Sequence, residues 1–149
     1  MKRPIVLSIA GFDPTSGAGL TADLKVFEQL GVYGFTVNTA TTFQTEDEFI
    51  GMEPLSTESV LGQLNPLLGR YDIQVVKLGL IPTNEMLVTV INTLRDYKPN
   101  IKIVWDPILK ASSGFNIHQD IESWKSILKE VDLITPNLVE LEIMLQAFG

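Results

Sequence analysis

The chain contains no cysteine. Disulfides and thiolate metal sites are therefore excluded. It contains one histidine, His118, in the segment Phe115-Asn-Ile-His-Gln119 and outside any recognisable motif, so no Ser-His-Asp triad can be assembled. No apolar run reaches about 18 residues, which argues against a transmembrane helix. No basic block occurs and the net charge is −7, which argues against a nucleic-acid partner. The acidic residues are spread along the chain, as on a soluble surface. The charged start Met-Lys-Arg-Pro precedes too short an apolar segment for a signal peptide, and that segment reads as a strand. A cytoplasmic protein is expected. The chain also lacks repeats, low-complexity segments and linkers. Lys110-Ala-Ser-Ser-Gly114 lacks the G-x-x-x-x-G-K-[ST] spacing of a phosphate loop and is read as a flap.

What is present is 149 residues, 45% of them hydrophobic, which is one domain's worth of chain with enough apolar material for a core. Strand-like and helix-like segments alternate. Strands are expected at 5–9, 34–39, 49–54, 75–78, 101–104 and 133–134. Helices are expected at 18–30, 57–68, 84–95, 120–128 and 138–147. Thr57 and Thr83 open two of these with capping hydroxyls, and Asn137 is placed to cap the last. The alternation predicts βαβ units and a mainly parallel sheet.

The richest passage is Ser8-Ile-Ala-Gly-Phe-Asp-Pro-Thr-Ser-Gly-Ala-Gly-Leu-Thr-Ala-Asp23, an apolar strand, a glycine-rich loop and a helix start. Such a unit can hold a small polar ligand, because glycine admits close backbone approach and free helix N–H groups point at the ligand. Gly17-Ala-Gly19-Leu-Thr-Ala22 fits G-x-G-x-x-A by letter. The dinucleotide mechanism does not fit. Its first glycine belongs directly after the strand, and an acid belongs after the second strand. Here Gly11 to Ser16 intervene, and the second strand ends Thr36-Val-Asn-Thr-Ala40.

The same passage, Ile9 to Lys25, resembles the opening motif of hydroxymethylpyrimidine/phosphomethylpyrimidine kinases, thiamin-biosynthesis enzymes of the ribokinase-like superfamily. The resemblance continues in order through Leu30-Gly-Val-Tyr-Gly34, Thr39-Ala-Thr-Thr-Phe-Gln44, Val76-Lys-Leu-Gly79, Asp106-Pro-Ile108 and Asp132 to Glu140. It implies a three-layer α/β/α sandwich and ATP-dependent phosphorylation of 4-amino-5-hydroxymethyl-2-methylpyrimidine, its monophosphate, or both. Pyridoxal kinases are the nearest confusable relatives, and a non-catalytic ligand-binding fragment is the other alternative. The resemblance implies the pyrimidine, ATP and Mg²⁺ as ligands, and a homodimer is allowed for. Family members run on beyond the length seen here, with a Gly-x-Gly-Cys or Gly-x-Gly-Asp loop that supplies the anion hole and catalytic base. No such loop occurs in this chain. Residues 1–149 are therefore expected to form a partial kinase domain, the substrate-binding N-terminal portion, with the C-terminal part absent and no catalytic base of its own.

Individual residues follow from both lines. By spacing alone Asp23 is an acid near a helix's positive end; by resemblance it hydrogen-bonds the pyrimidine, with Gly11 giving a backbone contact in the same pocket. Gln44 carries a donor and an acceptor side by side, the complement of an aminopyrimidine edge, and is otherwise a solvated loop residue. Leu80 and Ile108 match the pocket's apolar walls, where family members typically carry Met and Val. Asp106 stands at a strand's C-terminal end, where parallel sheets bind ligands. Glu140 lies in the family's Asn-x-x-Glu motif with Asn137, near the phosphates. Asp106 and Glu140 suit a Mg²⁺ held through water, although Glu140 is equally a helix-capping acid. Lys77, inside an apolar strand, is read as snorkelling to solvent. Trp105 and Trp124 are read as packing residues.

Overall fold

A computed structural model describes residues 3–109 and 120–149. The Lys110–Gly114 flap and His118 lie outside the described residues. Among the described residues six strands form one sheet: β1 (Ile5–Phe12), β2 (Tyr33–Gln44), β3 (Phe49–Pro54), β4 (Val75–Leu78), β5 (Lys102–Trp105) and β6 (Leu133–Ile134). Their spatial order is β3-β2-β1-β4-β5-β6, and only the β2–β3 pairing is antiparallel. The described residues also form five helices: α1 (Gly19–Gln29), α2 (Thr57–Arg70), α3 (Asn84–Tyr97), α4 (Trp124–Ile127) and α5 (Leu138–Phe148). Among the described residues no helix is long and apolar enough to cross a membrane.

Strand alternation separates the layers. Gly34 faces α1, where an added Cβ would stand 2.7 Å from Phe27 and 2.8 Å from Leu24. Phe35 faces the other way and packs on Tyr71, just past α2, with the rings tilted by 51°. Leu7, Ile9, Val37, Val76, Leu78, Ile103 and Trp105 point to that second face and bury themselves against Val60 and Leu64 of α2 and Leu87, Val90, Ile91 and Leu94 of α3. These apolar positions recur at helical spacing along α2 and α3, which is why both helices form and dock. At about 25 cal/mol per Å² of apolar surface, this face supplies the main stabilisation. Trp105 and Trp124 pack edge to face at 4.7 Å, as packing residues do.

Helix ends follow local chemistry. Ser56, one residue before the expected Thr57, caps α2 by accepting from the Ser59 N–H, while Thr83 caps α3. At the end of α1, Gly31 (φ +71°) donates to Glu28 O and Val32 N–H reaches Phe27 O, a Schellman closure. The region expected as one helix at 120–128 contains only the single turn of α4. Its backbone bonds run largely in the tighter i+3 pattern, as in Trp124 N–H to Ile121 O and Ser126 N–H to Ser123 O.

Two strands extend beyond the expected bounds. The first strand is expected to end at Ile9, with Gly11 in the turn after it, but β1 continues to Phe12 through a bulge, Ala10 facing Asn38 and Phe12 facing Thr41. The second strand is expected to stop at Thr39 and Gln44 to lie in a loop, but β2 runs on to Gln44, paired with both β1 and β3. Its β-branched threonines suit the pleat, and two find backbone acceptors: Thr39 Oγ1 donates to Leu80 O and Thr42 Oγ1 to Phe12 O.

Candidate active site

The chain leaves β1 toward β2 on one side, whereas β4 and β5 lie on the other. The C-terminal ends of β1 and β4 thus flank a topological switch point, where open α/β sheets bind ligands. The sequence-predicted residues gather along this edge in separate groups.

The first group is electrostatic. Ser8 and Lys77 are register partners on β1 and β4 and share a face. Asp23, on α1, reaches both: Ser8 Oγ donates to Oδ2 at 2.6 Å and Lys77 Nζ to Oδ1 at 2.6 Å. The Lys77 ammonium also pairs with Asp106 Oδ2 at 3.7 Å. Lys77 therefore does not snorkel; it is held between two carboxylates. Burial pushes the Asp106 carboxyl above its ordinary range; Lys77 opposes this and the nearby Asp23 charge adds to it.

The second group is steric. Gly11 lies against Leu80, and a Cβ added there would stand 2.7 Å from Leu80 Cδ2 and 3.5 Å from Ala40 O. Leu80 is buried beside it. Ile108 is half-buried two residues beyond Asp106, its N–H donating to Asp106 O. At the neighbouring strand end, Asn137 and Glu140 form a reciprocal capping box on α5. Glu140 N–H donates to Asn137 Oδ1 at 3.0 Å, and Asn137 N–H donates to Glu140 Oε2 at 2.9 Å.

The third group was not anticipated. Asp13 is buried and organises the loop. Its carboxylate accepts from Thr15 N–H at 2.8 Å, from Thr15 Oγ1 and from Ala18 N–H at 2.9 Å, so it caps α1 from outside the helix. Burial raises its proton affinity, but these donors, with the Gln44 carboxamide, outweigh it and hold the carboxyl below its ordinary range. The pattern Asp13-Pro-Thr15 was the available signal, since an aspartate bonding two residues on makes an Asx turn. Asp13, Gln44, Thr15, Ala18 and Phe49 line a cavity of about 410 Å³. Gln44 is the one expected substrate residue in its lining; Gly11, Asp23, Leu80 and Ile108 lie outside it.

Among the described residues no cluster of three or more acidic or histidine side chains could hold a metal directly. The available donors do fit a cation that keeps its waters. Asp106 and Glu140 follow adjacent strands β5 and β6, and Glu140 has an oxygen outside its cap.

A mainly parallel sheet of this order defines the fold class, ribokinase-like α/β, and the solved structures it superposes on are vitamin kinases of that class. Residues 13–148 match the family model described as phosphomethylpyrimidine kinase, and the chain belongs to that family. A hydroxymethylpyrimidine/phosphomethylpyrimidine kinase of Aquifex aeolicus is 38% identical over 143 residues, covering 94% of this chain and 56% of the relative. The crystal structure of phosphomethylpyrimidine kinase from Clostridium difficile 630 superposes with a TM-score of 0.83 at 29% identity, covering 94% of this chain and 63% of that one. A Staphylococcus aureus pyridoxal kinase, solved with AMP-PCP and pyridoxal, gives a TM-score of 0.79 at 28% identity, covering 95% and 51%. The chain spans about half the length of the curated relatives it matches.

Proposed function

We propose that these 149 residues are the substrate-binding portion of a kinase domain that phosphorylates 4-amino-5-hydroxymethyl-2-methylpyrimidine, its monophosphate, or both, with ATP. The observation that carries this reading is Asp23, fixed by Ser8 and Lys77 beside the β1–β4 switch point, within a chain of this family. A carboxylate so fixed accepts from the donors of a bound aminopyrimidine. Gly11 gives a backbone contact, with Leu80 and Ile108 as apolar walls and Gln44 reading the amino edge through its carboxamide. ATP use is supported by the ATP-analogue complex of the S. aureus neighbour. Mg²⁺ would supply charge neutralisation on the transferring phosphoryl group when bound. Asp106 and Glu140 would hold its waters, with Asn137 near the phosphates. The base and anion hole are assigned to the remaining length that relatives possess. Cytoplasmic location and a homodimer go with the reading as family expectations.

A second reading, pyridoxal phosphorylation, is favoured by the S. aureus neighbour, which was solved with pyridoxal. The test is ADP release by a protein of family length carrying this chain, with each substrate in turn. Release driven by the pyrimidine and absent with the 149 residues alone is expected, because base and anion hole each typically account for factors of about 10² or more. Release driven by pyridoxal alone overturns the pyrimidine reading. Turnover by the 149 residues alone overturns the division of labour.

A further inference from the structure

Lys77 is the least expected member of the site. It interrupts the apolar strand Val75–Leu78, and its strand neighbours Val76 and Leu78 are fully buried. Its side chain is 28% exposed, between Asp23 at 13% and Asp106 at 31%. A lysine there sacrifices part of its hydration, which is worthwhile only if its charge is answered. Both carboxylates answer it, from different elements: α1 carries Asp23 and the end of β5 carries Asp106. Without the ammonium, two like charges would face one gap in a partly desolvated cleft, an arrangement that attracts a divalent cation.

We propose that Lys77 is a built-in counter-ion: it orients Asp23 for the substrate and occupies the position between Asp23 and Asp106 that a divalent cation would otherwise take. This rests on the substrate and metal roles proposed above and adds a direction to them. A Mg²⁺ held through its waters by Asp106 and Glu140 would meet the Lys77 ammonium between Asp106 and Asp23, and Asp23 would stay available to the pyrimidine. With Oδ1 on Lys77 and Oδ2 on Ser8, the carboxylate plane is set from the sheet side, and each oxygen retains a lone pair for a ligand. Lys77 is thus a positioning residue, acting through Asp23.

The test uses Mn²⁺ as the probe, followed by electron paramagnetic resonance and by thermal unfolding, together with calorimetric titration of the pyrimidine. Lys77→Met is expected to gain Mn²⁺ affinity by at least about tenfold over wild type, with a Mn²⁺-dependent rise in Tm. Adding Asp23→Asn to that variant is expected to abolish the gain. Pyrimidine affinity is expected to fall about tenfold in Lys77→Met and to be largely restored in Lys77→Arg, which keeps the charge. Lys77→Gln serves as the second variant, with the same expectations, where Met fails to fold. Lys102→Met, which removes a surface pair with Asp132, controls for loss of an ion pair as such and is expected to change neither readout. The proposal is overturned if Lys77→Met and Lys77→Gln bind Mn²⁺ no better than wild type. It is also overturned if Asp23→Asn alone removes Mn²⁺ binding from wild type. Absence of pyrimidine binding by wild type overturns the substrate reading, while the Mn²⁺ arm still decides the role of Lys77.

Discussion

Gly19→Ala is the substitution whose cost the fold specifies most sharply. Gly19 opens α1 at φ +59°, and an added Cβ would stand 2.2 Å from Gly11 O, 3.3 Å from Gly11 C and 3.6 Å from Asp13 N. All three are backbone atoms, so no rotamer change relieves the contact. Either the start of α1 or the β1 bulge must move, and Asp23 moves with α1. Gly31 provides the reference, since it has φ +71° with nothing within 4 Å of an added Cβ. Gly31→Ala should therefore cost only the left-handed conformation, about 1 kcal/mol. Gly19→Ala should cost that plus the displaced backbone, about 3–4 kcal/mol in all. Urea unfolding measures both through the midpoint at constant m. In a chain of this size each kcal/mol lowers Tm by roughly 2–4 °C, so the two variants separate clearly by heat as well. Equal losses for Gly19→Ala and Gly31→Ala would refute the claim that close approach of α1 to β1 builds the loop.

Other expected outcomes concern ligands and charge. Gln44→Leu should weaken pyrimidine binding by roughly 1–3 kcal/mol and leave ATP binding unchanged; equal calorimetric affinities for the pyrimidine would remove Gln44 from ring recognition. Glu140→Gln can retain the capping box while losing the charge, so it should hold Tm, lower kcat and raise the Mg²⁺ requirement. Unchanged kinetics would leave Glu140 as a cap alone. The Lys102 ammonium, the Ile103 N–H and Arg95 outweigh burial and hold Asp132 at about 2, below its ordinary 3.8. A depressed acid stabilises the fold above its unfolded pKa and loses that contribution as pH falls through the folded one. The Tm deficit of Asp132→Asn should therefore be full at pH 7 and vanish between pH 3.8 and about 2. A deficit that persists at pH 2 would contradict the assignment.

Much of this fold was legible because its determinants are local. The bounds of β3, β4 and β6 follow from short apolar runs between turn signals, and α2 and α3 follow from apolar spacing with hydroxyl caps. What escaped reading depends on contacts distant in sequence. Gly11 looks like a turn until the partner strand shows the bulge, and residues 40–44 fall outside the expected strand until β3 folds back on them. Lys77 looks like a surface lysine because Asp23, its partner, lies 54 residues away. Asp13 was hidden among loop residues, although its Asx-turn spacing was visible. The Asn137–Glu140 cap was readable from sequence, because both partners fall within one helical turn.

The central claim is that Asp23, set by Ser8 and Lys77, holds an aminopyrimidine. Calorimetric titration of 4-amino-5-hydroxymethyl-2-methylpyrimidine and of pyridoxal into wild type and Asp23→Asn tests it most directly. The account predicts that the pyrimidine binds wild type more tightly than pyridoxal does. It also predicts that Asp23→Asn weakens the pyrimidine by about tenfold or more, the loss expected when a charged acceptor is removed. Tighter binding of pyridoxal, or a pyrimidine affinity that is the same in Asp23→Asn, would contradict it.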